Sequence, residues 1–94
     1  MQIKKIVIDV LKPHNPSIIE YSGKIAALKS VDGVTIHVME IDEQTETLEI
    51  TVEGGYLNYK TIQKTIQKLG GSIHSIDQVS AGSRVVPRGT VDEE

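Results

Sequence analysis

Residues 3–28, IKKIVIDVLKPHNPSIIEYSGKIAAL, decide the fold because they join a strand pattern directly to a helix pattern. Apolar residues alternate as far as Leu11, which predicts a strand, and two prolines then end it. The predicted inward face of this strand comprises Ile6, Ile8 and Val10. Ser17 and Glu20 match a capping box, and the apolar residues that follow recur at helical spacing. A strand followed by an amphipathic helix therefore opens the chain.

The remainder of the chain is predicted to add two strands, a helix and a final strand. Alternation indicates strands over residues 34–42 and 47–53, joined by a polar hairpin loop. A helix follows over residues 57–69, with Asn58 as its N-cap and two glycines after its end. The last strand, residues 72–79, has apolar side chains at every third position, which share one face only if the strand contains a bulge. The facing of this strand stays open.

The order strand, helix, strand, strand, helix, strand predicts an α+β fold, the ferredoxin-like β-α-β-β-α-β sandwich. Right-handed connections place two helices on one face of a four-stranded antiparallel sheet, with the first strand between the third and the fourth. We expect a single domain over residues 1–83 and a partly flexible C-terminal extension over residues 84–94.

The sheet face opposite the helices is predicted to be uncovered and to combine apolar with acidic side chains. Its residues are Val7, Asp9, Leu11, Thr47, Glu49, Thr51 and Glu53, with His37, Met39 and Ile41 from the second strand. Such a face is too apolar to be freely solvated and too charged for an ordinary core. We therefore expect a homo-oligomer that uses it as a subunit interface.

Composition argues against several classes of function. The 94-residue chain has a formal net charge of −3, so it lacks the basic surface that attracts nucleic acids or anionic membranes. The absence of cysteine excludes disulfides, thiolate zinc sites, iron–sulfur clusters and a cysteine nucleophile. No apolar run approaches the roughly 20 residues that cross a membrane, and no signal-peptide pattern is present. A cytoplasmic protein without nucleic-acid or membrane partners is expected.

The first candidate metal site lies on the central strand. Asp9 is an unusual residue for the middle of a strand, and Asp77 is predicted on the adjacent antiparallel strand. Two carboxylates that face each other repel unless a cation or a shared proton intervenes, and hard oxygen ligands suit calcium or magnesium. His74 is a further candidate ligand because it lies nearby in the chain. The alternative is an aspartate that is solvated or hydrogen-bonded at an interface.

A second candidate metal site is the acidic hairpin. The hairpin carries five carboxylates close together in the sequence: Glu40, Asp42, Glu43, Glu46 and Glu49. Of these, Glu40, Asp42 and Glu46 are the candidate ligands for a divalent cation at a subunit junction. The alternative is a solvated loop, because the spacing of an EF-hand is absent.

Catalysis finds little support in the sequence. No serine has a G-x-S-x-G setting, and no nucleophile–base pair is evident. The loop after the first strand lacks the phosphate-cradling arginine of an acylphosphatase, which shares this fold. The central strands contain no aromatic side chain on which an RNA base could stack. We therefore expect neither an enzyme nor an RNA-binding protein.

Two distinctive segments carry a family resemblance: IDVLKPH at residues 8–14 and GGSIHSID at residues 70–77. With the turn VDGV at residues 31–34 and the acidic hairpin, they resemble the archaeal family of uncharacterised proteins called domain of unknown function 211. The resemblance covers nearly the whole chain. It implies a ferredoxin-like fold, assembly into cyclic homo-oligomers and no established activity, and it assigns no cation ligands.

Two functional hypotheses follow. The first is a non-catalytic protein that forms a ring through its sheet and hairpins and binds a divalent cation or a small ligand at acidic sites. The alternative is a regulatory module of the same fold class, with an amino-acid-type ligand at a dimer interface beside the loop of residues 12–15.

Overall fold

The structure, a computed structural model, describes residues 1–86; residues 87–94 of the predicted extension lie outside the described residues. The elements in chain order are β1 (Ile3–Pro13), α1 (Ile18–Ala26), β2 (Val31–Ile41), β3 (Thr45–Gly54), α2 (Tyr59–Lys68) and β4 (Ser72–Ala81). This order confirms the predicted ferredoxin-like α+β fold. No helix among residues 1–86 is both long enough and apolar enough to cross a membrane.

The four strands form one antiparallel sheet in the order β2-β3-β1-β4, so β1 and β3 are central as predicted. One apolar core lies between this sheet and the two helices. Its fully buried members are Ile6, Ile8, Val10, Tyr21, Ile25, Leu48, Ile50, Val52, Ile62 and Ile66. The side chains that alternate with these on β1 and β3 therefore point to the face that neither helix covers.

Local signals set the ends of both helices. The Ser17 hydroxyl accepts a hydrogen bond from the backbone N–H of Glu20 at 3.4 Å, and Asn58 accepts one from Thr61 at 3.2 Å. Each cap satisfies a backbone donor that has no partner within its helix. After α2, Gly70 has a φ of +88°, a conformation that glycine adopts without steric cost and that ends the helix.

β4 contains the bulges that its sequence pattern requires. Its three apolar residues all pair with inward-facing residues of β1: Ile73 with Val10, Ile76 with Ile8 and Val79 with Ile6. The register shifts once between Ile73 and Ile76 and once between Ile76 and Val79. His74 and Asp77 are therefore the bulge residues, which have no residue of β1 opposite them. Ile73, Ile76 and Val79 therefore share the helix side of the sheet. Ile76 and Val79 remain 48% and 52% exposed because they lie at its free edge.

All four strands have bounds that differ from the predicted ones by up to three residues. β1 continues beyond Leu11 to Pro13, which is tolerated because β4 stops opposite Leu11 and leaves β3 as the only neighbouring strand among residues 1–86. In β2 the register shifts between Val38 and Glu40, so Ile41 pairs with Glu46, a residue of the helix side. The prediction that Ile41 lies on the uncovered face is therefore wrong.

Gly54 and Gly55 provide a test of packing at the end of β3. A Cβ atom on Gly54 would collide with the backbone carbonyl oxygen of Ser30 and lie 2.8 Å from the Leu57 side chain, whereas a Cβ on Gly55 meets open space. Gly54→Ala should lower the free energy of unfolding by about 1–3 kcal/mol, since overpacking forces the backbone to move. Gly55→Ala, the matched control, should change it by less than about 0.5 kcal/mol. Urea denaturation measures both, and equal effects would contradict the predicted contact.

Candidate functional site

One row of polar side chains crosses the uncovered face through all four strands. His37 on β2 is opposite Glu49 on β3, Glu49 is opposite Asp9 on β1, and Asp9 is opposite Ser75 on β4. The hydroxyl of Ser75 donates a hydrogen bond of 2.7 Å to the carboxylate of Asp77. The two carboxylates at the centre of the row, Asp9 and Glu49, are half-buried. We call His37, Glu49, Asp9 and Ser75, together with Asp77, the central polar row.

The register changes the partner of Asp9. Asp9 was expected to face Asp77, but the bulge in β4 places Ser75 opposite it, and the neighbouring carboxylate belongs to Glu49 on the other side. On the same face, Glu53 has the ammonium of Lys5 at 4.0 Å. The ion pairs formed among residues 1–86 include neither Asp9 nor Glu49. Like charges on directly opposite residues are destabilising, so this pair calls for a compensating group.

The other predicted ligands are scattered. His74 is the exposed extra residue of a β4 bulge, and Glu40 and Asp42 are exposed at the end of the β2–β3 hairpin. The backbone N–H of Asp42 donates to the carbonyl of Thr45 at 2.8 Å and closes the hairpin. Among residues 1–86, no three His, Asp or Glu side chains are grouped as a metal centre within one protomer would require. Cation binding by the predicted residues stays a prediction.

Glu46 lies on the helix side of the sheet and is already paired with cationic groups. Its Oε1 is 3.0 Å from the Lys12 ammonium, and its Oε2 is 3.0 Å from the Nδ1 of His14. The Nε2 of His14 lies 2.8 Å from the backbone carbonyl of Glu43. This Lys12–Glu46–His14 cluster ties the loop after β1 to the β2–β3 hairpin. A cation at Glu46 would have to compete with these internal partners.

Lys12 is the buried charge of the cluster, only 1% exposed. Its ammonium donates to the backbone carbonyls of Pro13 at 2.8 Å and His14 at 3.2 Å, in addition to Glu46. It also lies 5.5 Å from the centre of the Tyr21 ring on α1. Three oxygen acceptors and an aromatic face therefore replace the hydration that burial removes.

The same contacts shift the pKa values of three groups. The hydrogen bond to Glu46, followed by the one to the Glu43 carbonyl, raises the pKa of His14 above 6.5. The hydrogen bonds from His14 and then Lys12 lower the pKa of Glu46 below its usual value. Burial raises the pKa of the Tyr21 hydroxyl, and the nearby charge of Glu46 adds to this effect. These contacts therefore favour the protonated form of His14 and the ionised form of Glu46 more than water does.

Sequence reasoning missed the contacts made by several members of these two sites. Glu49 was assigned to the uncovered face and to the acidic hairpin but was not paired with Asp9, although alternation alone puts both on the same face. Lys12 and His14 lie in the IDVLKPH segment, but only the pairing of Lys12 with Glu46 across β1 and β3 brings them together. That pairing depends on a register that the composition of either strand leaves undetermined.

A cavity of about 460 Å³ lies apart from both sites, between the end of α1 and the start of α2. Its lining includes Lys29, Ser30, Tyr56, Tyr59 and Lys60. None of the six predicted site residues lines it.

The fold and the uncovered sheet face define a protein of the ferredoxin-like α+β class. The family model described as uncharacterised ArCR, domain of unknown function 211, matches residues 4–94, and the chain belongs to this family. An uncharacterised protein of the archaeon Methanocaldococcus jannaschii is 48% identical over 84 residues, which span 89% of this chain and 87% of that protein. The resemblance carried by residues 8–14 and 70–77 is thus confirmed.

The raised pKa of His14 predicts a pH dependence of stability. Protonated His14 can donate to Glu46 and to the Glu43 carbonyl at once, whereas neutral imidazole has one N–H to donate. The contribution is complete below the unfolded-state pKa of about 6.5 and is lost as the pH rises through the higher folded-state pKa. Nuclear magnetic resonance titration should give a lower His14 pKa in Glu46→Gln than in the unsubstituted protein; identical midpoints would contradict the contact.

The buried ammonium of Lys12 predicts that substitutions of the two partners of the ion pair will destabilise the protein to different degrees. Glu46→Gln should destabilise the protein more than Lys12→Met, because the first leaves a buried charge without its counterion and the second removes that charge. The double variant Lys12→Met, Glu46→Gln should lose less free energy of unfolding than the sum of the two single variants. Urea denaturation at pH 7 measures all three. Additive losses would show that the two side chains do not interact.

Proposed function

We propose that this protein is a non-catalytic cytoplasmic protein that forms a cyclic homo-oligomer and binds a divalent cation or a small ligand at acidic residues. The observation that carries the proposal is the uncovered sheet face with the central polar row across it.

Self-assembly is supported by the apolar residues around that row. Leu11 is 42% exposed on the uncovered face. The β2–β3 hairpin also exposes Met39 at 63% and, on the helix side, Ile41 at 66%. Exposed aliphatic side chains of this size, interrupted by charges, are typical of surfaces that pack against another chain. A small domain also gains stability from association, since its own core buries little surface.

Cation binding is supported by the pair Asp9 and Glu49. The two carboxylates are neighbours on the central strands, and the ion pairs of residues 1–86 leave both without a positive partner. Calcium and magnesium prefer carboxylate oxygens, and a second subunit or water would supply the remaining ligands. Asp77, with His74 nearby, would complete this inner site from β4. Glu40 and Asp42 would act at the hairpin.

The proposal predicts a cation-dependent assembly. Native mass spectrometry should give a discrete oligomer that retains a divalent ion and that loosens when a chelator removes it. Asp9→Asn and Glu49→Gln should each weaken calcium or magnesium binding about tenfold, or about 1.4 kcal/mol. Glu20→Gln, which changes an exposed carboxylate on α1, is the matched control and should bind as the unsubstituted protein does.

Three other results of these experiments would contradict parts of the proposal. A monomer at micromolar concentration would contradict the self-assembly. An oligomer that is indifferent to chelator and to Asp9→Asn would contradict the cation site. Thermal stabilisation by free amino acids but not by cations would favour the alternative, a regulatory module with its ligand near Lys12 and Asn15.

A further inference from the structure

Both outer strands of the sheet have an edge that residues 1–86 leave without a partner. The order β2-β3-β1-β4 puts β2, with 11 residues, at one edge and β4, with 10 residues, at the other. Neither strand contains Lys, Arg or Pro, the residues that commonly block the pairing of a free edge, although both contain bulges. These are the longest unpaired rows of backbone donors and acceptors in the described chain.

The two edges are complementary in direction. Each neighbouring pair within the sheet is antiparallel, so β2 runs in the same direction as β1, and β4 runs opposite to both. If a second copy is set beside the first with its helices on the same side, β4 of one copy meets β2 of the other in antiparallel orientation. The hydrogen-bond pattern of the sheet then continues from one copy to the next.

The apolar side chains on the helix side of the two edges also match. On β4, Ile76 and Val79 are about half exposed, and they belong to the same cross-strand rows as Ile36 and Val34 of β2. A groove of about 320 Å³ runs beside the free edge of β2, between that strand and α1, and Ile19, which is 80% exposed, lines it. Ile76 and Val79 of a neighbouring copy would cover this groove without a change in the direction of either strand.

The polar side chains of the two edges match as well. If the second copy is not shifted along the strand direction, the central polar row of one copy lines up with that of the next. Ser75 and the Asp77 carboxylate then meet the neighbour's His37. Arg84 follows β4 at the same end of the sheet at which Asp32 lies on β2. A contact between two β2 edges, or between two β4 edges, would leave the apolar side chains of the other edge exposed.

We propose that the edge of β4 in one copy pairs antiparallel with the edge of β2 in the next, head to tail, so that one sheet continues through the assembly. This inference rests on the proposed self-assembly and names its contact. A heterologous contact joins two different surfaces of the same protein. It forms a closed ring when a whole number of the rotations between neighbouring copies adds up to 360°.

The absence of cysteine makes the contact directly testable by oxidation of introduced thiols. The double variant His37→Cys, Ser75→Cys should form a ladder of covalent multimers on copper-catalysed oxidation of the assembled protein. Each single variant should stay monomeric on a denaturing gel, because position 37 meets position 75 and never itself. If the two copies are shifted relative to each other along β2, position 75 would instead meet position 35 or 40. Thr35→Cys or Glu40→Cys, each combined with Ser75→Cys, tests for such a shift.

Single-variant dimers would overturn the proposal in favour of a two-fold contact, and an oligomer without any of these ladders would overturn it while leaving self-assembly intact. A monomeric unsubstituted protein would instead remove the self-assembly on which the proposal rests, and the edge contact with it. Ile76→Lys supplies an independent measurement. It should convert the oligomer to monomers of unchanged circular dichroism, whereas Tyr56→Lys, an exposed position in the loop between β3 and α2, should leave the oligomer intact.

Discussion

The alternation of β1 is the constraint on which the rest of the molecule depends. Every second side chain, from Ile6 to Val10, is fully buried against the helices, while the side chains between them face the uncovered side. A shift of one residue in its pairing would exchange these two sets and expose the core. Because β3 and β4 both pair with this strand, its register determines which of their residues meet. The composition of the central polar row is a consequence of that register.

Most of the fold could be predicted because its signals are local. The helix caps at Ser17 and Asn58 and the glycine after α2 act within a few residues of the chain. β4 could not be assigned a facing, because its apolar residues recur every third position and fit neither a regular strand nor a helix. The two bulges that resolve this pattern exist only in relation to β1. A single strand considered alone contains no information on where its partner will accept an extra residue.

The candidate site was predictable in outline and not in its contacts. Asp9 was recognisable as an acidic residue in mid-strand, but its carboxylate neighbour is Glu49, because the bulge moves Asp77 away from the opposing position. Glu46 looked like an exposed hairpin ligand, yet it is held by Lys12 and His14. Lys12 is buried beside the Tyr21 ring of α1, a contact that no property of the hairpin sequence indicates. Tertiary packing decided both outcomes.

Because Lys12 is buried, its chemical reactivity reports on local unfolding of the protein. The chain contains eight lysines, and of these only Lys12 is buried. Amine-reactive reagents would modify the other seven in the native state but would reach Lys12 only when the loop after β1 separates from the hairpin. The labelling rate of this one side chain would therefore measure the local opening of that end of the sheet, without any added dye or engineered probe.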